Sequence, residues 1–308
     1  MSLLRVRSRR GAYGMLVALA FVWGANWIVM KLALAHAHPV VFNAERTALA
    51  IVALFVVMAV RGASLRPPPW RALVITALLQ TTLNMGSTTM ALAGGGAGRT
   101  SVLVFTMPFW TLLLAWPFLH ERVRGAQWAA IALAVAGLVL IVEPWRWSGD
   151  LAPKAWAVLS GLGWAGGTVA MKYFQRDRKI DMLGFMAWQM AIGAIPFMVV
   201  PLFTEFPATQ WSVVQVLLLC YVSLVATAVG FIAWIEILRW LPAGTASLNM
   251  FVVPVIALLL SMALFGEALT APEWAGIACI GAGLVALALQ ARRNVPRALD
   301  ATLPVEGG

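Results

Sequence analysis

The second half of this chain repeats the first, and that repetition narrows its possible folds more than any other feature. Residues 108–142 read PFWTLLLAWPFLHERVRGAQWAAIALAVAGLVLIV, and residues 254–288 read PVIALLLSMALFGEALTAPEWAGIACIGAGLVALA. At a constant offset of 146, Pro108 falls on Pro254, Glu121 on Glu267, Trp128 on Trp274, and Gly137–Leu138 on Gly283–Leu284. Nearer the start, at an offset of 141, Trp23, Met30 and Lys31 fall on Trp164, Met171 and Lys172. Duplicated hydrophobic halves are the pattern of chains that build a solute pathway where two membrane-embedded units meet.

A spanning helix takes about 20 apolar residues. Runs of that kind lie near 12–34, 40–60, 71–92, 100–119, 125–142, 154–174, 183–203, 212–238, 243–265 and 272–290. Turn signals separate them, among them His38-Pro39, Arg66-Pro67-Pro68-Pro69, Gly94-Gly95-Gly96 and Leu241-Pro242. The runs do not alternate with period two, and in lipid a helix satisfies its own backbone N–H and C=O groups. The predicted fold class is all-α integral membrane, with ten transmembrane helices arranged as two inverted five-helix repeats. Five spans per half is an odd number, so tandem copies face opposite leaflets. The expected organisation is a cytoplasmic N-terminal tail (1–11), a first repeat (12–142), an external linker (143–153), a second repeat (154–290) and a cytoplasmic C-terminal tail (291–308). Arg5, Arg7, Arg9 and Arg10 precede the first apolar run as they would in a signal peptide. That run exceeds the usual length of such a leader and has a counterpart in the second half, so it reads as a retained helix.

Charge fixes the expected orientation. Charged residues make up 11% of the chain, against roughly 25% in soluble domains. The net charge of +10 would suit nucleic acid if it formed a stripe with interleaved aromatics. Instead the basic residues sit in short clusters between apolar runs, so no nucleic-acid partner is expected. With the N-terminus in the cytoplasm, seventeen of the 22 Lys and Arg residues fall on inner segments. Arg146 and Lys154 fall outside, and Lys31, Arg46 and Arg99 lie in or at the outer ends of spans. That asymmetry predicts a multi-pass protein of a bacterial-type inner (plasma) membrane, both termini cytoplasmic. The expected partners are bilayer lipid and a small-molecule substrate, with one chain holding both halves and working as a monomer. Cys220 and Cys279 lie inside apolar runs and give neither metal spacing nor a disulfide framework. No metal and no cofactor is expected.

The order of features resembles the EamA family of the drug/metabolite transporter superfamily. Trp23-Gly24-Ala25-Asn26-Trp27, Arg46, the Pro108-to-Glu121 stretch and the Pro254-to-Glu267 stretch ending in Gly281-Ala282-Gly283-Leu284 carry the likeness, over roughly 14–290. Within that family the chain is most similar to YddG-type amino-acid exporters. The resemblance implies an inner-membrane exporter of small hydrophobic or aromatic amino acids that works by alternating access. The alternative is export of another small metabolite or an amphiphilic drug. One departure is that span seven offers Trp188-Gln189 where a mate of Arg46 would fall.

Polar and aromatic residues at membrane depth are the candidate substrate-binding set. Trp23, Asn26 and Trp27 lie on span one, and Trp164 and Thr168 on span six. Gln80, Asn84 and Thr88 recur every four residues on span three and so share a helical face. Thr227, Phe231 and Trp234 mark one side of span eight, and Asn249 lies on span nine. Amides can hold the carboxylate and ammonium of a zwitterion, and indole faces can stack on an aromatic ring or a cation. The plainer reading of each is helix-to-helix bonding. Pro108 and Pro254 are candidates for gating kinks, since a proline inside a helix frees the carbonyl four residues earlier, here on Val104 and Met250. Glu45 and Arg46 are the charges within a span, and their side chains point about 100° apart. Arg46 either orients a substrate carboxylate or anchors the helix near the outer side.

An enzyme needs a nucleophile with a base, or metal ligands, at membrane depth. His36, His38 and His120 all fall in loops, and no Asp falls inside a span. Catalytic residues are therefore not expected.

Overall fold

The computed structural model describes residues 8–120, 123, 125–143, 151–175, 181–240, 250 and 252–293. Among them there is helix and no strand. Helix α1 (Arg9–Ala33) is followed by α2 (Pro39–Val60). Helix α3 (70–94) comes in three pieces: Trp70–Thr76, a π-helical stretch Ala77–Leu83, and Asn84–Gly94. Helix α4 (Ala97–Leu119) is interrupted between Val104 and Met107. Then come α5 (Ala126–Val142), α6 (Leu151–Gln175) and α7 (Met182–Leu202). Helix α8 (213–240) repeats the plan of α3, with π-helical Tyr221–Val229 between Val213–Cys220 and Gly230–Trp240. Helices α9 (Val252–Phe265) and α10 (Ala271–Arg293) close the bundle.

Local chemistry sets the helix ends. The Ser8, Asp181 and Ser212 side chains accept from Gly11 N, Gly184 N and Gln215 N, filling orphan donors at the starts of α1, α7 and α8. Pro39 opens α2, where its missing N–H costs nothing. Gly62 and Gly266, at φ 61° and 63°, follow the ends of α2 and α9 in the left-handed conformation that glycine adopts without strain.

Among the described residues, five helices are long and apolar enough to cross a membrane: Arg10–Ala33, Pro39–Val60, Ala97–Leu119, Met182–Leu202 and Val213–Trp234. Shorter apolar helices accompany them at Gln127–Val142, Val252–Phe265 and Ala271–Ala286. Val52, Val56, Leu217 and Leu259 point outward, more than half exposed. That is the surface of a chain whose solvent is lipid.

Packing follows the repeat. Helix α2 packs on α7, and α5 on α10. Helix α1 packs on α8 and α9, while α6 packs on α3 and α4. Each half thus inserts its first helix between the third and fourth helices of the other. The α5–α10 contact is reciprocal in detail. A β-carbon on Gly137 would meet the Gly276 carbonyl at 2.5 Å, and one on Gly283 would meet the Ala130 carbonyl at 2.9 Å. Gly137 and Gly283 are repeat mates, and so are Ala130 and Gly276. As the contact moves back along α5 it moves forward along α10, so the two helices run antiparallel. Only glycine lets these backbones approach so closely.

Candidate functional site

The interrupted and π-helical segments meet at the centre of the bundle, around a cavity of about 160 Å³. Its walls come from α1 (Trp23, Asn26, Trp27, Met30), α3 (Asn84, Met85, Thr88), α4 (Val104, Phe105, Met107) and α6 (Trp164). Helix α8 adds Ala226, Thr227 and Phe231, α9 adds Val253, and α2 adds Arg46. Eight of the twelve residues chosen from sequence line it: Trp23, Asn26, Trp27, Asn84, Thr88, Trp164, Thr227 and Phe231. Asn249 lies outside the described residues.

The other three stand beside the cavity. Gln80 Nε2 donates to Thr168 Oγ1 at 3.1 Å, and its Oε1 accepts from Gln189 Nε2 at 3.0 Å. Gln80 and Thr168 therefore tie α3, α6 and α7 together. Trp234 packs on Trp23 with ring centroids 5.9 Å apart. The Gln80–Asn84–Thr88 stripe does share a face, turned toward α6. Asn84 Nδ2 donates to the Ser160 carbonyl at 3.0 Å and to Ser160 Oγ at 2.8 Å, and Thr88 Oγ1 lies 2.7 Å from Ser160 Oγ. Four residues over-rotate an α-helix by about 40°. The wider turn at Ala77–Leu83 takes up some of that drift, which keeps the three aligned.

Pro108 sits one residue into the restarted helix Met107–Leu119. The chain breaks there instead of kinking smoothly, and Phe105 and Met107, on either side of the break, enter the cavity wall. The Val104 carbonyl ahead of it faces Gly161, where a β-carbon would lie 3.0 Å away. Pro254 lies near the start of α9 as described, and the Met250 carbonyl accepts from Val253 N at 3.0 Å. The carbonyl expected to be free is thus taken up in a turn.

Hydrogen bonds fix the cavity walls. Trp23 Nε1 donates to the Ala226 carbonyl at 2.9 Å, inside the π-helical stretch of α8. Thr227 Oγ1 donates to the Val222 carbonyl five residues back, the spacing of a π turn. Glu45 and Arg46 diverge as their spacing requires. Glu45 Oε1 accepts from Thr209 Oγ1 at 2.6 Å, whereas Arg46 is 6% exposed and faces the cavity, where its Nη1 meets Met30 Sδ at 3.2 Å. Sequence reasoning placed Arg46 near the outer side and missed that α2 reaches the cavity. The sulfur and apolar lining of Met30, Met85 and Met107 was missed too. Met30 carried a usable signal, since it recurs as Met171 in the repeat.

A second polar cluster lies at the bundle end where α1, α3 and α9 finish and α4 and α10 begin. Glu267 accepts from Gly98 N at 3.0 Å, Arg99 N at 3.1 Å and the Ser261 hydroxyl. Arg99 Nε lies 3.7 Å from Glu267 and 2.8 Å from Glu273. Lys31 Nζ donates to the Leu92 carbonyl at 2.6 Å and the Gly95 carbonyl at 2.8 Å. At the same end His38 stacks on Phe206 at 4.3 Å, and burial holds its imidazole below the ordinary histidine range.

The model of the EamA-like transporter family matches the chain twice, over residues 10–143 and 153–289. The uncharacterized inner membrane transporter YedA of Escherichia coli (strain K12) is 25% identical over 291 residues, 93% of each chain. The "Probable amino-acid metabolite efflux pump" of the same strain is 28% identical over 287 residues, 89% of this chain and 93% of that one. The uncharacterized transporter YoaV of Bacillus subtilis (strain 168) is 25% identical over 249 residues, 79% of this chain and 85% of YoaV. A solved crystal structure superposes with a TM-score of 0.66 at 18% identity, covering 93% of this chain and 99% of its own; it speaks for the fold alone. Family and relatives both point to a membrane transporter of small molecules and away from an enzyme. With the family model accounting for both halves in turn, the chain belongs to the EamA-like transporter family.

Proposed function

We propose that the chain is an inner-membrane secondary transporter that exports small hydrophobic and aromatic amino acids by alternating access. In this reading ten transmembrane helices form two inverted five-helix repeats, with both termini cytoplasmic and the monomer as the working unit. Two observations support the repeat: the family model fits twice, and the mates α3 and α8 each carry a π-helical stretch. A third supports the inversion: the mates α5 and α10 run antiparallel across a reciprocal glycine contact.

One observation carries the transport reading: the central cavity lies between the halves and takes indoles from both, Trp23 and Trp27 from the first and Trp164, the repeat mate of Trp23, from the second. Aromatic faces suit an aromatic or aliphatic side chain, and a substrate held between two rocking halves is reachable from either side in turn. Pro108 and Pro254 act beside it, Pro108 where α4 is interrupted and Pro254 near the start of α9. The name of the Escherichia coli relative, an amino-acid metabolite efflux pump, supports the substrate class. The mostly apolar walls also favour a second reading, export of another small metabolite or an amphiphilic drug. Arg46 in the wall weighs against a cationic one.

The test is counterflow in proteoliposomes loaded with labelled tryptophan, threonine, methionine or a cationic dye. Exchange of the amino acids is expected, and exchange of the dye alone overturns the amino-acid reading. Repeating the assay with an imposed pH gradient identifies proton coupling.

A further inference from the structure

Arg46 is the one charged side chain among the described residues that line the cavity. Its guanidinium carries five N–H donors and no acceptor. The acceptor it meets is Met30 Sδ, a weak one. The ion pairs among the described residues belong to Arg99, and the neighbouring Glu45 turns away to Thr209. A buried guanidinium without a counter-charge is strongly unfavourable, and charges kept at membrane depth mark the paths of substrates and ions.

A second group in the same wall is also unmatched. Asn26 Oδ1 is buried and has no donor among the described residues. Asn26 precedes Met30 by four residues on α1, about 6 Å along the helix axis. The cavity therefore presents a fork of donors and an orphan acceptor roughly one turn apart, backed by indole and thioether surfaces. An anion alone satisfies the first group, and a cation alone satisfies the second. A carboxylate and an ammonium on one carbon satisfy both, each through hydrogen bonds of about 2.9 Å.

We infer that Arg46 anchors the substrate carboxylate and Asn26 accepts from its ammonium, so that the cavity selects intact α-amino acid zwitterions. This rests on the export reading above and names the two groups of the substrate that the cavity requires. The guanidinium grips both carboxylate oxygens at once, as that geometry favours, and leaves the side chain to the apolar wall.

Competition against labelled tryptophan counterflow tests the inference. Unlabelled tryptophan is compared with tryptamine, which lacks the carboxylate, and indole-3-propionate, which lacks the ammonium. Each is expected to compete at least about tenfold more weakly than tryptophan. In Arg46→Gln the preference for tryptophan over tryptamine disappears, and Arg46→Lys restores part of it. Asn26→Ala removes the preference over indole-3-propionate and leaves that over tryptamine. If tryptamine matches tryptophan on the wild-type protein, or if Arg46→Gln keeps the wild-type preference, the inference falls while export of amino acids stands. The wild-type series decides alone should the Arg46 variants fail to fold. Exchange of the dye without any amino acid is the separate result that defeats the export reading.

Discussion

Arg46 and Arg99 lie in the same bundle and are handled in opposite ways. Arg99 sits at a helix end within reach of two carboxylates, and its main-chain N–H is capped by one of them. Glu267 in turn is filled by two backbone donors, a hydroxyl and the guanidinium. Arg46 is more deeply buried and has a thioether. The contrast teaches how to read charge in an apolar chain. A charge partnered from within holds helices together, whereas a charge left open toward a cavity destabilises the empty protein.

Opposite signs of stability change would sharpen that contrast. Glu267→Ala strands the Ser261 hydroxyl and two backbone donors and takes from Arg99 one of its two carboxylates, and we expect a loss of about 3–5 kcal/mol in thermal or chemical unfolding in lipid nanodiscs. Arg46→Met replaces an unmatched charge with an apolar chain of similar length, and a gain of about 1–4 kcal/mol is expected. A variant that melts below wild type would break the comparison. Asn84→Ala deletes both bonds to Ser160 and should cost about 1–2 kcal/mol while slowing counterflow. Unchanged transport would leave Asn84 with a packing role only.

The smallest effect concerns His38. Its folded-state pKa is depressed, so folding favours the neutral ring. The contribution is whole above the unfolded value of about 6.5 and is lost as pH falls through the folded one. Amide exchange at Val40, whose N–H donates to the ring at 3.4 Å, should quicken modestly on acidification from about pH 7.5 to 5.5. In His38→Phe that acceleration should vanish.

Much of this architecture is legible in the residues, because the repeat and the apolar runs obey simple periods. Trp23 and Trp164 are repeat mates in the sequence, and both face the cavity. What the sequence hid follows from geometry that period counting cannot see. Gln80 and Asn84 look alike on a wheel, yet Gln80 meets Thr168 and Gln189 whereas Asn84 reaches the cavity. Arg46 could not be placed from α2 alone, since the cavity edge it meets is built by Met30 of α1. The polar content of α3, from Gln80 to Thr89, is also why α3 is absent from the five helices long and apolar enough to cross a membrane. Residues that line a cavity or bond to α6 dilute the signal by which a span is recognised.

The π-helical stretches set which way the cavity residues face. A turn closed five residues back holds one residue more than an α-helical turn. Were Ala77–Leu83 to tighten to an α-helix with all its residues kept, the extra residue would swing everything beyond it by about 100°. Asn84 and Thr88 would then point away from α6, and the same tightening of Tyr221–Val229 would carry Phe231 off the opposite wall. In these two helices a change of turn width alone rearranges the cavity wall while leaving composition and hydropathy untouched.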